Sequence, residues 1–186
     1  RYTRVETSSN EEMNWFYDLT WKSLPEKPGA INSVMHGDWL ILADQNGIGN
    51  ALAEQLQKRG HNCRVVMQQD ELDERAWLQS TEKPMGIIDL RALTSISPTD
   101  DAACVNALAS LQALIEYKGK ATPKLWLVTQ GVQRVENETI SANSASQSLL
   151  WGLGRTISLE HPVIWGGLMD IDSGQVNQLG EFLTEE

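Results

Sequence analysis

Residues 38–60 read DWLILADQNGIGNALAEQLQKRG. Trp39 to Ala43 is an unbroken apolar run, as a parallel strand covered on both faces requires. From Gly49 to Arg59, Leu52 and Leu56 recur at helical spacing, and Gly60 supplies the stop. Strand, turn and helix in this order open a dinucleotide-binding unit, yet the turn is written against that use. The fingerprint G-x-G-x-x-G needs glycines to turn tightly, to approach the pyrophosphate and to pack helix on strand. Here Asp44, Gln45 and Asn46 precede only two glycines, Gly47 and Gly49. A carboxylate at a helix N-terminus brings its own negative charge to the place where a phosphate would sit. Asp44, Gln45, Asn46, Gly47 and Gly49 are therefore read as a degenerate, structural turn, with no cofactor held in this chain.

The same alternation extends in both directions. Trp15, Tyr17, Leu19 and Trp21 follow a period of two and predict a strand over 14–22, after a polar, loose lead of residues 1–12. Short buried strands are expected at Cys63–Met67, Met85–Leu90, Leu125–Val128 and Gly167–Ile171. Helices are expected within Asp70–Ser80, from Ala103 to about Tyr117 with N-cap chemistry in Ser97–Asp100, and over Ala145–Glu160. Strands alternating with helices define an α/β class with a parallel sheet, one domain over residues 13–186.

A chain of 186 residues is long enough to bury a core without staples. Its formal net charge of -10 excludes nucleic acid and anionic membrane surfaces as partners, since both demand a basic patch. No apolar run reaches the roughly 18 residues of a membrane span, and no signal peptide is read. A cytoplasmic protein is expected. Cys63 and Cys104 are read as small buried hydrophobes, and the sequon at Asn137 as a chance match.

Four segments in the second half then fall in order: Leu125-Trp126-Leu127-Val128-Thr129, Ser148-Leu149-Leu150-Trp151-Gly152-Leu153-Gly154-Arg155, Leu159-Glu160-His161-Pro162 and Trp165-Gly166-Gly167-Leu168-Met169-Asp170-Ile171-Asp172. With Trp15–Trp21 and the degenerate turn, they resemble the N-terminal structural subdomain of ketoreductases in bacterial modular polyketide synthases. The resemblance implies a truncated Rossmann-like fold that binds no cofactor, buttressing a second half that binds NADPH and carries the catalytic Lys, Ser and Tyr. Neither the glycine-rich turn nor the reductase Tyr of that second half is found in this sequence. The partners implied are that catalytic subdomain and neighbouring enoylreductase, dehydratase or methyltransferase domains, with acyl carrier protein indirectly. Two alternatives stay open: a free-standing NAD(P)-dependent reductase with an unusual turn, and a pseudo-ketoreductase scaffold docking a methyltransferase or enoylreductase.

Structural and interface candidates are Trp15, Trp21, Trp151, Gly152, Gly154, Arg155, Trp165 and Gly167. Each glycine inside a helix costs about 1 kcal/mol against Ala, so Gly152 and Gly154 predict close backbone approach. The Trp residues suit a core or interface that satisfies their one donor. Catalysis finds little support. His36, His61 and His161 lack metal-ligand spacing. Asp89, Asp170 and Asp172 stand near strand ends, where α/β enzymes place functional groups but where Asp also caps turns. Ser141, Ser144, Ser146 and Ser148 have no nucleophile elbow, and Ser144 with Gln147 reads as a capping box. Arg155 and Glu160 are read as a helix pair, and Glu71, Asp73 and Glu74 as a solvated acidic face.

Overall fold

The computed structural model describes residues 2–4, 17–19, 36–68, 70, 73–94, 101–133 and 144–172. Its centre is a five-stranded sheet built from β3 (Asp38–Leu42), β4 (Asn62–Val66), β5 (Pro84–Asp89), β6 (Lys124–Gln130) and β7 (Trp165–Ile171). The strands are all parallel, in the order β4-β3-β5-β6-β7. Counted along the chain this is 2-1-3-4-5, so the winding reverses between β3 and β5, the switch point where such sheets form ligand crevices. Separately, β1 (Tyr2–Arg4) pairs antiparallel with β2 (Tyr17–Leu19). The lead expected to be loose thus carries one short strand, and β2 is the described part of the strand expected over 14–22. Trp15 and Trp21 lie outside the described residues.

Alternation along the strands explains the two-sided core. On one face Trp39 and Ile41 of β3 pack with Ile88 and Val128 beneath α1 (Ile48–Lys58). On the other, Leu40, Leu42, Ile87 and Leu127 meet α2 (Glu74–Ser80), α3 (Ala102–Glu116) and α4 (Ser144–Glu160). Leu40, Ile41, Ile87 and Ile88 are fully buried, and each such side chain contributes on the order of 2 kcal/mol relative to exposure. Period-two sequences stay apolar throughout here because both faces are covered.

The helix ends follow local chemistry. After α1, the Gly60 amide donates to the Gln57 carbonyl and the His61 amide to the Leu56 carbonyl, the paired bonds of a Schellman stop. Asp73 caps α2, its carboxylate accepting the Arg75 amide. Helix α3 begins after Asp101, which makes no side-chain cap bond, and Ser97–Asp100 lie outside the described residues. Ser144 is the first residue of α4 rather than its cap, and Gln147 reaches elsewhere, as described below. His161 closes α4 as expected, its amide donating to the Ile157 carbonyl. Cys63 and Cys104 are half-buried rather than buried, and both are free thiols. Burial pushes the Cys63 thiol up to about 11, with Asp38 adding to the shift.

Candidate functional site

The turn between β3 and α1 lies at the switch point, and its carboxylate is turned inward. Asp44 is 1% exposed. Its Oδ2 accepts the Asn46 amide at 2.7 Å and its Oδ1 the Gly49 amide at 2.8 Å. Gly49 stands in the first turn of α1, so one of the amides a helix N-terminus would present to an anion is taken by the protein's own carboxylate. Gly47 adopts a left-handed conformation, φ 89°, which explains that glycine without a ligand. A Cβ on Gly49 would lie 2.8 Å from that of Ala43, so this glycine serves close packing of helix on strand. Gln45 is exposed, its amide donating to Thr94 Oγ1 at 3.2 Å and its side chain to Gln68 Oε1 at 3.3 Å. Asn46 also faces solvent.

Beside this turn lies a charged cluster that corrects the reading of Glu74 as part of a solvated face. A 3-10 turn at Arg91–Thr94 follows β5 and folds Arg91 back on Asp89. Arg91 Nε and Nη2 donate to the two Asp89 carboxylate oxygens at 3.0 and 2.8 Å. Nη2 also reaches the Asn106 carbonyl and Ser110 Oγ, each at 3.1 Å. Glu74 accepts the Ser110 hydroxyl at 3.0 Å and stands 3.6 Å from the guanidinium. Burial pushes the Glu74 carboxyl above its ordinary value, opposed by the Arg91 charge. Asp89 is therefore spent in an ion pair at the strand end. Asp73 stays exposed, and Glu71 lies outside the described residues.

A second polar cluster joins the ends of β6 and β7 to α4. Thr129 donates its hydroxyl to Asp170 Oδ1 at 2.8 Å and accepts the Trp151 indole N–H at 3.1 Å. Asp170 also accepts the amides of Val132 and Gln133 at 2.9 and 2.7 Å. Gln147 Oε1 accepts the Gln130 amide at 2.9 Å, so it ties helix to strand instead of completing a capping box. Trp151 satisfies its donor here as expected of a buried-edge Trp. Ser146 is buried while Ser148 is exposed, and Ser141 lies outside the described residues.

The two helical glycines part company. A Cβ on Gly154 would stand 2.9 Å from Leu168 Cδ1 and 3.0 Å from the Trp165 ring, so here the backbone approach is close. Gly152 is exposed with nothing within 4 Å among the described residues, so the expected close approach is not found there. A Cβ on Gly167 would meet the Trp126 ring at 2.8 Å. Arg155 and Glu160 are both exposed and unpaired with each other, because residues five apart do not share a helix face. Among the described residues no group of three or more His, Cys, Asp or Glu side chains is placed to hold a metal ion. Nor is any described helix long and apolar enough to cross a membrane.

The geometry can be set beside known proteins. No family model matches the chain. It is 28% identical over 180 residues to polyketide synthase GfsB of Streptomyces halstedii, covering 84% of this chain and 3% of that synthase. It is 27% identical over 174 residues to pikromycin polyketide synthase component PikAII of Streptomyces venezuelae, covering 86% of this chain and 5% of that component. Among solved structures it matches an A-type ketoreductase of a modular polyketide synthase with a TM-score of 0.64 at 22% identity, over 89% of this chain and 37% of that one. A C2-type ketoreductase matches at 0.59 and 23% identity, over 82% and 36%. The chain thus spans a small part of each curated relative. The resemblance carried by the motifs of residues 125–172 is borne out: the chain is similar to regions of modular polyketide synthases. Its fold is the Rossmann-like parallel sheet of their ketoreductases, as the α/β reading expected.

Proposed function

We propose that this chain is a non-catalytic structural subdomain of a modular polyketide synthase ketoreductase, holding in place a catalytic half that reduces β-ketoacyl groups on an acyl carrier protein with NADPH. The observation that carries it is the Asp44 carboxylate bound to the Asn46 and Gly49 amides at the mouth of the switch-point crevice. A pyrophosphate entering there would meet a buried negative charge and would lose the helix amide it needs. The spent hydrogen bonds of Asp89, Asp170 and Gln147 at the other strand ends support the same reading, since none is left aimed at a substrate.

Docking is supported by the outer face of α3 and α4. Val105, Leu108 and Ile115 form an exposed apolar stripe on α3, and Leu149 and Leu159 are exposed on α4. Helix α3 carries a single charged residue, Glu116, and that one pairs with Arg75. In a chain of net charge -10, an uncharged strip of this kind fits a protein neighbour. The neighbour proposed is the catalytic half, with enoylreductase, dehydratase or methyltransferase domains adjoining it. Titrating the chain with NADPH while following indole emission should give no saturable binding, and the separately expressed catalytic half should coelute with it on a sizing column. Micromolar NADPH binding by this chain alone would sink the reading, and coelution that survives Leu108→Asp would move the docking face elsewhere.

A further inference from the structure

The β3–α1 turn contains a dipeptide whose chemistry the scaffold role does not use. Of the chain's asparagines, Asn46 alone is followed by glycine. Glycine has no Cβ to shield its amide nitrogen from the preceding side chain, so a nucleophile and a carboxamide stand within reach of ring closure.

The fold leaves both groups open. Asn46 is exposed, and its carboxamide makes no hydrogen bond among the described residues. The Gly47 amide donates to nothing among them either, because the Asp44 carboxylate takes the amides of Asn46 and Gly49 and passes over Gly47. Gly47 has φ 89°, and a Cβ there would meet nothing within 4 Å, so no described neighbour crowds the nitrogen. The other described asparagines are placed differently. Asn62 lies in β4 and donates its side chain to Asp38 at 2.7 Å. Asn50 and Asn106 lie inside α1 and α3, where the helical ladder ties up the amide that follows each of them.

We propose that Asn46 is a site of spontaneous deamidation, converting a neutral carboxamide into a carboxylate at the mouth of α1. The Gly47 nitrogen, its proton removed by hydroxide, attacks Asn46 Cγ; the new C–N bond forms, the Cγ–Nδ2 bond breaks, and ammonia leaves with a proton from water. Water then adds to either carbonyl of the five-membered imide, and the ring opens to aspartate or isoaspartate. One water is consumed and one ammonia released, so no oxidant or other reagent is needed. Aspartate at position 46 sets a second carboxylate beside Asp44, where the helix N-terminus favours negative charge. Isoaspartate routes the main chain through the former side chain and lengthens the turn by a methylene, which displaces the amides that Asp44 holds. This goes beyond the scaffold role and does not require it.

The test is to hold the 186-residue chain in mildly alkaline buffer at physiological temperature and follow each asparagine by peptide mapping and mass spectrometry. Asn46 should gain the mass of O exchanged for NH at least about tenfold faster than Asn50, Asn62 or Asn106, with both aspartyl and isoaspartyl peptides formed. Gly47→Ala should slow the conversion by about tenfold, since a Cβ then shields the nitrogen. Alanine is strained at that left-handed backbone, so Asn46→Gln, which should abolish the signal at this peptide, keeps the test available should the first variant misfold. Conversion of Asn46 no faster than the other asparagines overturns the site. So does a folded-state rate more than about tenfold below that of the urea-unfolded chain, because the fold would then protect the turn instead of leaving it open. An isoaspartyl fraction that melts at the temperature of the fresh chain overturns the displacement of the Asp44 bonds.

Discussion

The β3–α1 turn and the β6–α4–β7 unit both carry glycines where a strand meets a helix, and they use them differently. At the turn, Gly47 serves a left-handed backbone and Gly49 serves packing, while a carboxylate takes the helix amide. In the later unit, Gly154 and Gly167 clear space for the rings of Trp165 and Trp126, and Gly152 clears space for nothing among the described residues. The first region shows a strand–turn–helix whose glycines and helix amide are used within the protein itself. The second shows glycine set by interdigitation with large side chains, apart from one position left open on the surface.

The sharpest way to break this contrast is Gly154→Val. Its side chain would press into Leu168 and Trp165 inside a helix already packed on β7, so a loss of about 3 kcal/mol in chemical denaturation is expected. An unchanged midpoint would mean that the close approach is slack. Next comes Asp44→Ala, which leaves the Asn46 and Gly49 amides without their acceptor and should cost about 2 kcal/mol by the same measurement. A neutral result would remove the claim that the turn is held by its own carboxylate. Gly152→Ala should do the reverse, raising stability by up to about 1 kcal/mol, because the site is open and helical. Destabilisation there would show that the two glycines are alike after all.

A smaller effect concerns the opposite end of the sheet. His61 is buried against Trp39 and His36, and among the described residues neither ring nitrogen has a partner within hydrogen-bond geometry. Burial lowers its pKa below the ordinary 6.5, with the nearby His36 and Arg59 adding to the shift and the Gly37 backbone opposing it. A base whose folded pKa is depressed binds its proton more readily when unfolded, so its contribution is intact above pH 6.5 and is lost as pH falls below it. Melting temperature should decline from pH 7 to pH 5, and His61→Phe should flatten that part of the profile. A profile that His61→Phe leaves as steep would assign the acid sensitivity to other groups.

Much of the fold was legible because strand and helix impose different periods on the same apolar residues. Trp39–Ala43 read as a strand covered on both faces and Leu125–Val128 as a strand, and the spacing of Leu52 and Leu56 placed α1. What escaped were contacts between elements distant in sequence. Glu74 looked like one more surface acid until Arg91, brought back by the 3-10 turn, drew it to Ser110. Gln147 fitted a capping box by spacing, but the end of β6 offered its Oε1 an unpaired amide. Gly152 and Gly154 were indistinguishable by propensity, and only the position of β7 separates them.

By itself, the sequence determined the α/β class and the departure of the β3–α1 turn from the G-x-G-x-x-G fingerprint, because apolar periodicity and glycine count act locally and need no partner. Tertiary structure alone decided the strand order that sets β3 beside β5, the inward turn of Asp44 onto the Gly49 amide, and the gathering of Arg91, Glu74 and Ser110. Those depend on which distant groups reach one another once the sheet is assembled, and a buried charge or amide takes whatever partner the packing brings within reach.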